Sequence, residues 1–394
     1  MSIMICSFIN MAKIKTAGSE INSLSVLWAK AVLSEYDVHL YNDYGIMAYF
    51  GHESDINNKI GKYCKYTFDN RNSIKYQGVK CNLNDRRMVL PKNIKKAIKL
   101  DTLNINRQEG SLWNDENEET VIRNKAVIET LPSLSLIAEG SSNVLYEMIS
   151  NGMNYDDIIN GCTELSYISK HFNNHVYNNN NMECLFRNEW EYIIVGDMDD
   201  KSNFKSVKRK ICFLRNALNL AYLYKDHEKR KMSLALAETV CPGPWCLATQ
   251  FLIMESWSLL ETKYDMEYLL KGENVPLIKT KDTWETDIDL LLGSNELLDR
   301  LNDEEKDLIS EFNKGTKDSK NSTKERIGGL NYEEYLFMYL SLENENKRLL
   351  RIMDLIQINM KYRYYDDFNW KEYYNGISYS VMANGKKYKV EMEY

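Results

Sequence analysis

Hydrophobic positions along this chain fall into long helical stripes broken by short alternating runs. Residues 1–12 (MSIMICSFINMA) are apolar and uncharged, and Lys13 and Lys15 follow at once. From there Ile14, Ala17, Ile21, Leu24, Trp28 and Ala31 recur at alternating steps of three and four. That spacing predicts one face of a long helix. With no proline before Pro91, the helix is expected to run on until Asn42-Asp43-Tyr44-Gly45, where turn-forming residues collect. Residues 53–69 read as a short amphipathic helix, and Ile74–Leu90 as extended chain in broken alternation around Gly78. Residues 106–120 are polar and acidic, which predicts a loop, and Asn178–Asn181 predicts another. Leu145–Phe172 carries helical periodicity, whereas Trp190–Val195 (WEYIIV), rich in aromatic and β-branched residues, reads as a strand.

From Phe204 the pattern is helical in three consecutive stretches. The last two are parted by Cys-Pro-Gly-Pro-Trp-Cys at 241–246, whose prolines no helix interior tolerates. Short joints between consecutive helices predict an antiparallel helical subdomain. Lys314–Lys324 reads as a polar linker. Asn331 and Glu334 then have capping-box spacing ahead of one long helix that carries Tyr335, Tyr339, Leu342, Leu349, Ile352 and Ile356. At the end, Ser378–Val381, Asn384-Gly385 and Tyr388–Met392 predict a hairpin, because Asn-Gly suits the type I′ turn.

Segregated helices and strands mean an α+β fold. The expected form is a long N-terminal helix on a small antiparallel sheet, made of central strands plus the C-terminal hairpin, with a large inserted helical subdomain. The corresponding segments are a partial membrane-anchor segment at 1–12, the long helix and first strand region at 13–105, the acidic loop at 106–120, a mainly helical middle at 121–313, a linker at 314–328, and the long helix with hairpin at 329–394. An isolated hairpin is marginal in water. The Val79–Leu83 strand and the hairpin should therefore share a sheet covered by the N-terminal helix.

Charge narrows the function classes. Fifty basic against 57 acidic residues give a net −7 over 394 residues. A nucleic-acid surface needs a basic face that releases phosphate counterions, so nucleic acid is not an expected partner. Eight cysteines without a C-x-x-C pair support neither a zinc ribbon nor a thioredoxin motif. They read as mostly buried thiols, with a Cys241–Cys246 bridge open as an alternative. No phosphate-binding glycine loop or nucleophile elbow occurs, and no cofactor is expected.

Three groupings deserve weighing as chemistry. His171 and His175 stand four apart, a spacing that on a helix can hold zinc, with Cys162 and Cys184 as candidate further ligands; Phe172 replaces the glutamate of H-E-x-x-H. Asp197, Asp199 and Asp200 depart from the EF-hand pattern and read as an exposed turn. The aromatic run from Tyr362 to Tyr374 fits equally an interface or a packed connection.

Five stretches resemble a largely uncharacterised family of Gram-positive envelope proteins related to the TadE/TadG-like pseudopilins of Tad (Flp) pilus systems. They are residues 12–50, with Leu33, Tyr36 and Asp37 and then Asp43-Tyr44-Gly45; Asn188–Ile194; Arg215–Asn219; Leu269–Trp284; and Gly329–Gln357. The resemblance implies a membrane anchor through an N-terminal helix, of which residues 1–12 are an incomplete span. It implies a body outside the cytoplasm at the cell membrane, with other pilus or secretion components as partners. It carries over no catalytic residues. The expected function is a non-enzymatic pseudopilin-like component whose assembly helix presents Ile14, Ala17, Ile21, Leu24, Trp28 and Ala31. The alternatives are a soluble metal-dependent hydrolase using His171 and His175, or a cytoplasmic helical scaffold.

Overall fold

A computed structural model describes residues 2–68, 74–108, 164–177, 183–288 and 329–394. The expected loops at 109–120 and 178–181, the expected helix at 145–163, Cys162 and the linker at 314–328 lie outside the described residues.

The fold is α+β, as the pattern of elements requires. Helix α1 (Ser2–Leu33) leads into α2 (Val38–Tyr44) and strand β1 (Tyr49–Phe50), then α3 (Glu53–Phe68) and β2 (Tyr76–Cys81). Helix α4 (Pro91–Gln108) follows, and residues 164–171 form α5. Helices α6 (Glu189–Val195), α7 (Asp200–Lys225), α8 (His227–Val240), α9 (Cys246–Leu270), α10 (Tyr332–Leu342) and α11 (Glu345–Arg363) come next. The chain closes with β3 (Tyr373–Tyr374), β4 (Gly376–Ala383) and β5 (Lys386–Glu393).

Strands β2, β4 and β5 form one antiparallel sheet in that order, and β1 pairs with β3. Val381 faces Val79 on one side and Tyr388 on the other. Asn384 and Gly385 close the hairpin at φ 53° and 73°, the double left-handed geometry of a type I′ turn. One face of β4 (Ile377, Tyr379, Val381, Ala383) is buried with α1 and α3. The expectation that strand, hairpin and N-terminal helix form one unit therefore holds. Tyr379 Oη donates to the Ser25 carbonyl, Tyr394 Oη to that of Leu33 at 2.7 Å, and Trp28 meets Phe68 edge-on.

Several expectations need correction. WEYIIV is helix α6, not a strand. A short apolar run does not separate a buried strand from a buried helix by periodicity, and here Glu189–Ile194 are all buried. Its first N–H groups donate to the Asn173 carbonyl, and Gly196, at φ 80°, ends it in the left-handed conformation. The first helix stops at Leu33, because Asp37 caps a separate α2 by accepting from His39 N and Leu40 N. Ile74–Leu90 is strand only over Tyr76–Cys81 and ends in a 3₁₀ turn at Asn84–Arg86. Residues 106–108 belong to α4 rather than to a loop; the helix opens with Pro91, a favoured first-turn residue. The expected single helix after Asn331 is two, since Asn344 caps α11 anew. The Asn331–Glu334 capping box itself is present in both directions.

Among the described residues, three hydrophobic clusters form the core. The largest joins α2, α4 and α5 to α6, α7, α10 and α11, together with Phe368, Trp370 and Tyr373. The aromatic run is thus mainly a packed connection, although Tyr362 and Tyr364 stay exposed. The second cluster lies under the sheet, and the third between α7, α8 and α9 around Trp257 and Trp284. Asp226 joins α7 to α8, ending one and capping the other. Helices α7, α8 and α9 pack together as the expected subdomain.

Candidate functional site

The two halves of α1 have different surroundings. From Ala17 onward one side packs on β4, β5 and α3. Before it, residues 5–16 are exposed all the way round, about 18 Å of helix at 1.5 Å per residue. Ile5, Phe8, Ile9, Met11 and Ile14 are each about half exposed or more. Leaving apolar surface in water is unfavourable in proportion to its area. This stretch is therefore a surface that calls for a cover. Among the described residues, no helix is long and apolar enough to cross a membrane.

The stripe Ile14, Ala17, Ile21, Leu24, Trp28 and Ala31 divides along the same line. Ala17, Ile21 and Trp28 are buried against the chain's own sheet, and Leu24 is half-buried beside them. Ile14 lies on the projecting half, and Ala31 is exposed. Only Ile14 thus belongs to the free apolar surface, which the residues before it extend.

His171 and His175 do not share a helix face, because α5 ends at His171. The His171 ring bonds the Asp43 carbonyl through Nδ1 (2.7 Å) and Asp101 through Nε2 (2.9 Å). His175 pairs with Asn188 Oδ1 at 2.8 Å and stacks on Phe204. Among the described residues, no group of three or more His, Cys, Asp or Glu is placed to hold a metal ion. Cys184, the described thiol of that candidate set, lies instead beside Asn173. Cys241 and Cys246 are both free thiols, and burial raises the Cys64, Cys81 and Cys184 thiols to about 12. Asp199 caps α7, Asp197 accepts from Ser202 Oγ, and Asp200 holds the Asn188 N–H. That is the turn the sequence suggests.

What sequence reasoning missed is a set of buried polar ties joining distant segments. Arg215 donates through Nε and Nη2 to Asp265 Oδ2, and through Nη1 to the carbonyls of Pro276 and Leu277. Lys279 completes the group by pairing with Asp265 and Glu261. Burial alone would raise the Asp265 carboxyl, but Arg215 and Lys279 hold it below its ordinary value. Glu189 accepts from Asn173 N and Asn359 Nδ2, and Glu191 from His175 N and Tyr332 Oη. Burial pushes both carboxyls up to about 7. Lys229, boxed between the rings of Trp257 and Trp284, is pulled down to about 7 by burial. A signal for the Arg215 group was present. The buried row of α7 reads Asn203, Val207, Ile211, Arg215, Asn219, Leu223 at steps of four, with polar residues standing where the stripe is core.

These ties coincide with stretches quoted above. Asp37 caps α2 and accepts from Tyr373 Oη; Asp43 and Tyr44 meet Arg363; Arg351 binds the last carbonyls of α6. Residues 99–385, well over half of the chain, match a family of unknown function (DUF5702). The chain belongs to that family. No curated protein and no solved structure matches it. The matched span takes in α6 to α11 and their buried ties and begins inside α4, so α1 precedes it.

Proposed function

We propose that this protein is a non-enzymatic, pseudopilin-like component of a Tad/Flp-type pilus or secretion apparatus. Its anchoring and assembly element is the projecting half of α1, and its body is held outside the cytoplasm. The observation that supports this reading is the division of α1 at Ala17. One helix is rooted in an antiparallel sheet, and its other half stands free, apolar and uncovered. In pilin-like assembly, packed N-terminal helices supply the apolar burial along a filament or in a membrane. Lys13 and Lys15 lie where such a segment would meet a polar boundary. Two lysines bias topology only weakly, and large domains translocate largely regardless of charge.

The test is expression in a Gram-positive host of the chain with its N-terminal apolar segment extended by about eight to ten apolar residues to the length of a full span, followed by fractionation and protease treatment of intact cells. The reading expects the chain in the membrane fraction, with the body degraded while cytoplasmic controls survive. Recovery in the soluble fraction would contradict the anchor. A body protected until lysis would contradict the outside placement.

A further inference from the structure

Helix α7 gathers cations on the outer side of its first half. Opposite the buried row at Asn203, Val207 and Ile211, the outer ridge reads Lys201, Lys205, Arg209 and Phe213 at steps of four. All four are exposed, Phe213 by 80%. Lys208 and Lys210 flank the ridge, and Lys210 Nζ rests over the Tyr339 ring. No acidic residue occurs from Lys201 to Lys225, in a chain of net charge −7. Among the described residues, none of these five cations is held in an ion pair, whereas exposed Lys281 and Lys347 pair with Glu228 and Glu343. Like charges four apart on a helix repel, and a cation in the first turn opposes the positive end of the helix dipole. Local helix stability therefore does not account for the ridge.

The acids around it are engaged or face elsewhere. Asp199 caps α7, Asp197 accepts from Ser202 and Asp200 holds Asn188, all at the helix end and more than a turn before Lys205. On the α10 side, Glu343 pairs with Lys347. On the α9 side, exposed Glu267 lies about 160° round the helix from Asp265, which faces α7. Glu273, in the turn after α9, has exposed Lys271 two residues before it.

Composition and shape select the occupant. Four of the five cations are lysines, which protein–protein interfaces disfavour relative to arginine. A lysine is a mobile point charge without the fixed fork that grips a carboxylate, so it suits a layer of phosphates with no fixed positions. Apolar residues accompany the cations. Tyr335 and Tyr339 meet α7 at Arg215 and Lys210, so α10 runs antiparallel to α7. Leu342, on the same side of α10 and 74% exposed, therefore stands beside the ridge, level with about residue 207. Cations joined by aromatic and aliphatic residues mark a helix that lies on a membrane. From Lys201 to Arg209 the ridge is straight and about 12 Å long, which presents its charges to one plane.

We propose that the outer ridge of α7 is a docking surface for a bilayer bearing anionic phospholipids. Lys205, Arg209 and the lysines beside them rest on the lipid phosphates, and Phe213 enters between the headgroups. The ridge is separate from α1, so this proposal and the anchoring role of α1 stand or fall independently.

The experiment measures binding of the full chain to vesicles of phosphatidylcholine alone and of phosphatidylcholine mixed equally with phosphatidylglycerol. Three chains are compared: the parent, Lys205→Gln with Arg209→Gln, and the charge-conserving Lys205→Arg with Arg209→Lys. Each is also made with Phe8→Glu and Ile9→Glu, which blunt the apolar half of α1. Every substituted residue is exposed, and circular dichroism checks that each variant is folded. Binding to phosphatidylcholine alone, and its loss with the α1 substitutions, reports on α1. The gain from phosphatidylglycerol reports on α7. The proposal expects that gain to fall roughly thirtyfold with the two glutamines in either α1 background, at about 1 kcal/mol per basic side chain and tenfold per 1.4 kcal/mol. The charge-conserving variant should keep it. A gain that survives the glutamines, or no gain from phosphatidylglycerol in the parent, would overturn the proposal and leave the α1 reading intact. Capture by immobilised polyglutamate that the glutamines abolish, without a phosphatidylglycerol gain, would assign the ridge to an acidic polypeptide instead.

Discussion

Arg215 and Asp265, fifty residues apart on α7 and α9, meet with both completely buried: Nε and Nη2 lie 3.0 and 2.7 Å from the same carboxylate oxygen. Breaking a buried pair by removing one partner leaves an uncompensated charge and costs about 3–5 kcal/mol. Arg215→Met is therefore expected to lower unfolding stability by about 3 kcal/mol in urea titration. A loss below about 1 kcal/mol, the scale of a surface pair, would mean that the tie contributes little.

Glu189 and Glu191 give a pH dependence of the opposite sense to an ordinary ion-paired carboxylate. Their folded-state values, near 7, lie above the unfolded value, so the native state binds more protons through the window between them. Their stabilising contribution is full below about pH 4.3 and is lost as pH rises through 7. Glu189→Gln should flatten that decline by an amount on the order of 2–3 kcal/mol, seen as stability measured from pH 5 to 8. The Asn359 amide can turn to accept from the new side chain. An unchanged slope would show that Glu189 titrates normally.

Two glycines with similar backbone angles separate steric clash from conformational strain. Gly45 (φ 64°) packs so that an added Cβ would lie 1.9 Å from Asp101 Oδ1, whereas Gly385 (φ 73°) has open space around it. Left-handed backbone alone costs an L-residue roughly 1–2 kcal/mol. Gly385→Ala is expected to lose about 1 kcal/mol, and Gly45→Ala at least twice that in the same denaturation assay. Equal losses would show that Asp101 moves aside without cost.

The cap of α10 is a smaller, local prediction. Asn331 Oδ1 accepts from Glu334 N at 2.9 Å, and Glu334 Oε2 accepts from Asn331 N at 2.8 Å. Asn331→Ala should cost about 1 kcal/mol, shown by a lower melting temperature without loss of helical circular dichroism at 20 °C.

Local rules made much of this fold legible. The Asn384-Gly385 turn, the Asn331–Glu334 box and the periodicity of α3, α7, α8 and α9 each depend on neighbours a few residues away. The failures are long-range. WEYIIV is helical because the Asn173 carbonyl meets its first N–H groups, and Arg351 meets its last carbonyls; no local pattern encodes either partner. Likewise, the stripe of α1 marks one helix face from Ile14 to Ala31 but not the point along it where the sheet ends. That point, at Ala17, decides which residues are core and which are free. His171 and His175 show the same limit, since their spacing shares a face only while the helix continues.

The central claim is that the projecting half of α1 is covered by lipid or by neighbouring helices in the assembled state. Cys6, exposed on that half, reports on it directly. The measurement is labelling of Cys6 by a membrane-impermeant maleimide in native membranes, with and without detergent, read by peptide mass spectrometry against exposed thiols in unfolded protein. The account predicts that Cys6 is protected in membranes and becomes reactive on solubilisation. Equal labelling in both states would place this helix in water and contradict the account.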